Sequence, residues 1–346
     1  MQAAFPDMVG NLTLRQRLFH ELKDHSLSHA YILEGAAGMG KHTLALRIAM
    51  ALACLHRQEE HVSVPCMECA SCKKILNGNS PDVIYIHREE DKATLGVEVI
   101  RNLRNDVYVA PNDLDVKVYI VEEAHLMTEA AQNAFLLTLE EPPAYVLFLL
   151  LCENAGVMLE TIRSRAPVLR LQPVTAEEMK TYLCRNHREA AAMAQSNPEE
   201  LNELMVCANG SIGRAVDLLN PSVRKPLLAG RQCAREFIRL CAGRRNGMAT
   251  VRFLKTVSTK RDELIQQLNG VLLCLRDLLL CKQTENAPLC FFADREEAFS
   301  LSYRFTTPEL LSLYECIERA CDRLRANANV RLTLTALAVD CGMLTV

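Results

Sequence analysis

A chain of 346 residues with 49% hydrophobic content is long enough for two or three domains, each with a real core. Its formal net charge of −3 excludes a protein that coats nucleic acid by bulk charge and leaves only local basic patches. Residues 1–7 lack a basic segment leading into an apolar run. The apolar stretch over 264–280 is broken by Gln266, Gln267, Asn269, Arg276 and Asp277, so neither a signal peptide nor a membrane span is expected. Fifteen cysteines without an export signal point to reduced thiols in a cytosol.

The first informative elements are a short apolar strand over 29–34, a glycine loop and an apolar helix over 43–56. The loop carries Gly35, Gly38, Gly40 and Lys41 in the phosphate-binding pattern G-x-x-x-x-G-K-[ST], in which backbone N–H groups wrap phosphates and the lysine neutralises them. The strand–loop–helix order is the one the motif needs, because the helix N-terminus adds its positive dipole end. A glycine-rich turn in an ordinary α/β domain would not bring spacing, lysine and flanking elements together. His42 stands where the hydroxyl that holds Mg²⁺ belongs, and Thr43, one residue later on the helix, points about 100° away. The segment is expected to be built like an ATPase and to work poorly as one.

Cys66, Cys69 and Cys72 follow at x₂ spacing, with Cys54 upstream at the end of the loop's helix. Four thiolates at about 2.3 Å from the metal satisfy tetrahedral Zn²⁺ and leave no open position for a substrate, so a structural zinc module over 54–72 is expected. The alternatives are a chance grouping in a cysteine-rich chain and a thioredoxin-like redox pair. Cys233, Cys241, Cys274, Cys316 and Cys341 lie among Leu and Ala in helical patterns and read as small core residues.

Alternation of strand and helix continues: a strand over 82–86, a helix over 97–107 and a buried strand over 116–121 that runs into Glu122 and Glu123. A phosphate loop needs such carboxylates beside it, one to hold Mg²⁺ through water and one to orient the attacking water. Glu122 stands where an aspartate is usual and Glu123 where the water-orienting glutamate sits; the alternative is a solvated strand end. A helix over 128–140 is expected to be capped by Thr128 and stopped by Pro142 and Pro143. A buried strand over 146–151 then leads to Cys152, Glu153 and Asn154, and on to Thr161, Ile162, Arg163, Ser164 and Arg165.

The run from Thr138 through Glu140, Glu141, Pro142 and Pro143, the acidic strand end with His125, and the segment 161–165 together resemble bacterial clamp-loader subunits of the AAA+ class. Within that family the resemblance is to the delta-prime branch, a relative of the gamma/tau motor subunits of DNA polymerase III, over essentially the whole chain. It implies a RecA-like α/β AAA+ P-loop domain over 1–172, a helical lid over 173–220 and an all-α collar over 221–346. It also implies that Cys54, Cys66, Cys69 and Cys72 are the family's zinc ligands, and that Arg165, in Ser164-Arg165-Ala166, is an arginine finger reaching a neighbour's ATP, although the family's following cysteine is Ala166 here. Arg214, in the helix start at Gly210, Ser211 and Gly213, corresponds to the sensor-2 arginine. Cys152 stands near the sensor-1 threonine, with Asn154 as a substitute.

The lid is expected to open at Val174 with Thr175 as a cap, and the residues from Pro221 onward to be helical. Arg231, Arg235, Arg239, Arg244 and Arg245 are read as a solvated face, with DNA phosphates the alternative. By resemblance the partners are the gamma/tau and delta subunits in a hetero-pentameric ring, with the sliding clamp and primed DNA reached through the complex. The cofactors implied are structural Zn²⁺ and weakly held ATP with Mg²⁺. Two readings remain: a stator that closes the ring and donates Arg165, and a gamma/tau-type motor. His42, Glu122, Cys152 and the lack of a long extension beyond the collar weigh against the motor.

Overall fold

The computed structural model describes residue 5 and residues 7–59, 63–89, 91–243, 247–285 and 288–343. The chain divides into two compact units, Met1–Tyr182 with Gly210–Arg214, and Leu183–Asn209 with Ala215–Val346. The expected lid over 173–220 is therefore shared between them.

In the first unit the order is α1 (Leu12–Lys23), β1 (Ala30–Glu34), α2 (Lys41–Ala53), α3 (Ala70–Leu76), β2 (Val83–Ile86), α4 (Val97–Val107), β3 (Lys117–Val121), α5 (Glu129–Glu140), β4 (Val146–Cys152), α6 (Glu160–Arg163) and β5 (Val168–Arg170). The strands form one sheet in the order β2-β3-β4-β1-β5, and every pair is parallel. Parallel strands covered on both faces read as continuous apolar runs, and β4 is buried along its whole length. Alternation sends Tyr31, Leu33, Leu149 and Leu151 to the face covered by Leu44 and Ile48 of α2, and Ala30, Ile32, Phe148 and Leu150 to the face covered by Leu103, Phe135 and Ile162. This is the RecA-like AAA+ arrangement expected, with β1 inside the sheet and the phosphate loop leaving its C-terminal end.

Element boundaries show what positions the site. Helix α2 starts at Lys41, two residues earlier than expected, because Gly40 adopts φ +90° and turns the chain directly into the helix. It ends at Ala53, before the expected 56, where Cys54 goes extended. Thr128 caps α5 by accepting from Ala131 N at 3.2 Å. Helix α7 (Ala176–Asn186) follows a reciprocal cap, in which Thr175 Oγ1 accepts from Glu178 N and the Glu178 carboxylate accepts from Thr175 N.

The second unit is helical among its described residues: α8 (Arg188–Ser196), α9 (Pro198–Ala208), most of α10 (Ile212–Leu219), α11 (Pro221–Ala242), α12 (Gly247–Thr256), α13 (Arg261–Gln283), α14 (Arg295–Ser302), α15 (Thr307–Arg325) and α16 (Val330–Asp340). By length and composition α13 is apolar enough to cross a membrane, contrary to the reading of 264–280 as too interrupted. Its Leu264, Leu268, Val271, Cys274, Leu275 and Leu278 are nonetheless buried in the unit's own core, alongside Phe237, Phe291 and Ile317. Cys274 and Cys316 are buried in that core, and Cys233, Cys241 and Cys341 pack against it, as the helical pattern of these cysteines implied.

Of the arginines read as a solvated face, Arg231 and Arg235 are largely withdrawn from solvent, whereas Arg239 is exposed as expected. Arg231 is buried, donates to the Cys290 and Phe291 carbonyls and lies 4.6 Å from the Phe291 ring centre. Arg235 pairs with Glu203 at 2.9 Å, and Arg239 with Glu297 at 2.9 Å. Carboxylates and carbonyls of the same unit engage these three guanidinium groups, and sequence alone does not tell the largely buried Arg231 and Arg235 from the exposed Arg239. Arg244 and Arg245 lie outside the described residues.

Candidate nucleotide site and cysteine cluster

The phosphate loop joins the end of β1 to α2. Gly38 and Gly40 hold left-handed φ values of +73° and +90°, which L side chains rarely adopt. Lys41 Nζ donates to the Gly35 and Ala36 carbonyls, so the lysine lies folded over its own loop. Burial lowers its pKa, against the opposing field of Glu153. Gly35 N donates to Cys152 O at 3.1 Å, tying the loop's first residue to the end of β4.

A second segment supports the loop from Gly210–Arg214. Ser211 Oγ donates to Ala37 O at 3.1 Å, and Gly213 N donates to Gly38 O at 2.9 Å. The approach is so close that a Cβ on Gly38 would lie 2.5 Å from Ser211 Oγ, and one on Gly213 would lie 2.8 Å from Gly38 Cα. The glycine of the helix start at Gly213 is thus explained by backbone contact with the phosphate loop. Arg214, the residue matched to sensor 2, is exposed in the first turn of α10.

The groups that would handle metal and water are engaged with other side chains. His42 Nε2 lies 3.6 Å from Glu122 Oε1, and its ring stacks on Tyr85 with centroids 5.4 Å apart and planes at 18°. Burial, and then the field of Glu122, raise the pKa of Tyr85. Glu123 sits at a left-handed φ of +47° and pairs with Arg88 Nε at 2.8 Å. Cys152 is 1% exposed, and desolvation pushes its thiol up to about 12, so it is a neutral, weakly polar group at the end of β4. Asn154 accepts from Gly156 N at 2.8 Å, a local turn cap. Thr43 is exposed on α2. The glycines and lysine therefore fit phosphates, whereas the arrangement of His42, Glu122 and Glu123 does not fit octahedral Mg²⁺, which requires hard oxygen donors.

Sequence reasoning missed Tyr85, Arg88 and Glu34, and it placed Ser211 only in the helix start before Arg214, not against the loop. Glu34, the last residue of β1, accepts from Ala155 N at 3.0 Å and pairs with Arg170 Nε at 2.7 Å, bracing the three strand ends around the loop. Position at strand ends was the available signal for Glu34 and Tyr85; Arg88 and Ser211 act through pairings distant in sequence.

Arg165 follows α6. Its Nη2 pairs with Glu140 Oε1 at 2.8 Å and its Nη1 donates to Thr161 O at 3.0 Å.

The four cysteines converge. The sulfurs of Cys54, Cys66, Cys69 and Cys72 all lie within 4.8 Å of one another, and those of Cys66 and Cys72 are 3.9 Å apart. Tetrahedral zinc with bonds of about 2.3 Å sets sulfur atoms about 3.8 Å apart, so the donor set fits with a small contraction. Main-chain N–H groups point at the sulfurs: Cys66 N to Cys54 Sγ at 3.5 Å, Cys69 N to Cys66 Sγ at 3.3 Å and Cys72 N to Cys69 Sγ at 3.4 Å. Burial opposes ionisation of Cys69, yet N–H bonds from Cys72 and Leu55 and the neighbouring thiols outweigh it and bring its pKa down to about 6. Turns that aim N–H groups at sulfur stabilise thiolates, the form in which cysteine binds metal.

Residues 10–175 match the family model for DNA polymerase III, delta subunit. The DNA polymerase III subunit tau of Bacillus subtilis is 34% identical over 219 residues, 63% of this chain and 38% of that protein. The subunit gamma of Buchnera aphidicola subsp. Acyrthosiphon pisum is 31% identical over 219 residues, 63% of this chain and 58% of its own. The subunit delta' of Yersinia pestis is 39% identical over 137 residues, 40% of this chain and 39% of its own. Over part of its length the chain is similar to gamma, tau and delta-type subunits of DNA polymerase III. It spans less than two thirds of the length of these curated relatives, and the match is narrower than the whole-chain resemblance read from the motifs. Among solved structures, a gamma subunit-related protein of Thermotoga maritima aligns over 94% of this chain and 98% of its own at 17% identity and a TM-score of 0.42.

Proposed function

We propose that the chain is a delta-prime-type stator of a bacterial clamp loader, working in the cytoplasm with gamma/tau and delta subunits to place a sliding clamp on primed DNA. The observation that carries this reading is the split within the nucleotide site. Gly35, Gly38, Gly40 and Lys41 keep the phosphate cradle, while His42 faces Glu122 and Arg88 holds Glu123. Phosphoryl transfer rests on metal ions bridging the β- and γ-phosphates and on a group that positions the attacking nucleophile. A chain whose candidates for both tasks are paired with other side chains keeps the architecture of a motor without its turnover.

On this reading Arg165 supplies the chain's catalytic contribution, to ATP held by a neighbouring subunit. Its planar guanidinium stabilises charge spreading over the phosphoryl oxygens, which a lysine would not reproduce. Arg214 lies beside the chain's own loop. Zn²⁺ held by Cys54, Cys66, Cys69 and Cys72 supplies a structural crosslink between the end of α2 and α3. The helical collar over 221–346 holds the neighbouring subunits in the ring. Mixing the purified chain with gamma/tau and delta subunits tests the assignment: a stator completes a complex that loads clamps and adds no ATP turnover of its own. The second reading, a gamma/tau-type motor, is favoured by the gamma and tau relatives, and turnover by the chain alone would select it.

A further inference from the structure

The nucleotide site is equipped for phosphate and ill-equipped for the metal that usually accompanies it. His42 is fixed in position by two contacts, the Tyr85 ring on which it stacks at 5.4 Å and Glu122 Oε1 at 3.6 Å. The first oxygen ligand of a Mg²⁺ site is thus replaced by an imidazole, and the second, Glu122, faces that imidazole. Glu123 is held by Arg88 at 2.8 Å. Mg²⁺ dehydrates reluctantly and demands near-octahedral oxygen ligands, and imidazole suits softer metals.

Phosphate oxygens ask for something different: N–H donors and positive charge. The site offers the N-terminus of α2 at Lys41, the turn held open by Gly38 and Gly40, the Lys41 ammonium and an N–H of the His42 ring. A Cβ built on Gly40 would meet no atom within 4 Å, so the space beside the turn is free. Among the described residues Lys41 donates to the Gly35 and Ala36 carbonyls of the loop, which an anion would displace without exposing a buried charge. Mg²⁺ on the phosphates would cancel the charge these groups attract and would bring a hydrated cation against His42.

Resting on the reading of this loop as a nucleotide site, we propose that it takes nucleoside di- or triphosphate free of metal, with His42 as a hydrogen-bond donor to the phosphates where other phosphate loops present Mg²⁺. The chain is then a metal-independent nucleotide binder, and Mg²⁺ competes with the protein for the phosphates.

Titration calorimetry of the full chain with ADP, in EDTA and again in excess MgCl₂, tests this. The dissociation constant in EDTA is expected to equal or fall below that in MgCl₂, and His42→Ala is expected to weaken binding in EDTA by about tenfold, the loss of one hydrogen bond to a charged group. His42 is exposed, so the substitution leaves the fold intact, which a far-ultraviolet circular dichroism spectrum checks. Three results would overturn the proposal: binding more than about tenfold weaker in EDTA than in MgCl₂, no ADP binding under either condition, or a His42→Ala chain that binds as tightly as the unaltered one. Assembly with partner subunits is read separately, so each of these failures leaves the clamp-loader reading standing, and a failure to assemble leaves the binding result intact.

Discussion

If the chain is the stator proposed above, Arg165→Ala in a reconstituted loader separates assembly from catalysis. Arg165 and Glu140 pair at 2.8 Å with side chains 36% and 47% exposed, and Arg165 also donates to Thr161 O at 3.0 Å. An ion pair this exposed contributes about 0–1 kcal/mol, and one such hydrogen bond about 1 kcal/mol. Freeing the guanidinium therefore costs about 1–2 kcal/mol. An arginine finger supplied in trans accelerates a single site about 10³–10⁵-fold, equivalent to about 4–7 kcal/mol. For a finger in trans the gain would exceed this cost several-fold, so on the proposed reading the pairing with Glu140 would not withhold the residue from a neighbour. Arg165→Ala is expected to leave the chain's unfolding free energy within about 2 kcal/mol of the original and ring assembly intact. DNA-stimulated ATP hydrolysis and clamp loading should fall, by less than the single-site factor because the other sites keep their own fingers. Glu140→Gln should leave both rates unchanged or raise them slightly. A ring carrying Arg165→Ala that assembles and loads clamps at the unmutated rate would refute this and reduce Arg165 to a surface ion pair.

Protein purified without chelator is expected to carry one Zn²⁺ per chain, and Cys69→Ser to loosen residues 54–72 toward proteolysis without unfolding the sheet; metal analysis that finds no zinc would end this assignment. Gly38→Ala is expected to destabilise the nucleotide-site unit by about 1–3 kcal/mol in urea unfolding, since φ is +73° and its Cβ would meet Ser211 Oγ at 2.5 Å and Arg214 N at 2.9 Å. Unchanged stability would mean that the Gly210–Arg214 segment yields. In the helical unit the fully buried Asp277 accepts from the main-chain N–H groups of Cys290, Phe291 and Phe292. Asp277→Ala strands these donors and should cost about 3 kcal/mol or more, with Asp277→Asn costing less; equal melting temperatures for both variants and the original would contradict that account.

Much of the first unit was legible in the sequence because its signals are local. The parallel strands are continuous apolar runs, the helix over 97–107 has its apolar stripe, and Thr128 and Thr175 announce caps that the structure contains. The cysteine spacing foretold a cluster that the fold closes. What escaped was pairing across distance. Nothing near His42 indicates that Tyr85 will lie under its ring or that Glu122 will face it, because the β2-β3 register brings those strand ends beside α2. Gly213 reads as a helix-start glycine, and its closer reason, contact with Gly38, depends on a segment far along the chain. Arg231 and Arg235 of α11 read as part of a solvated face because their partners, such as Glu203 for Arg235, lie on other elements. Helix α3 went unread because the cysteine spacing dominates its sequence, and Cys69 serves as its N-cap by accepting from Cys72 N.

ATP turnover by the purified chain, measured alone and after addition to gamma/tau and delta subunits, tests the central claim most directly. The chain alone should hydrolyse ATP negligibly, and its addition should complete a complex whose DNA-stimulated hydrolysis and clamp loading exceed those of the partners without it. Turnover by the chain alone at rates typical of motor ATPases, or partners that gain nothing from its addition, would contradict the account.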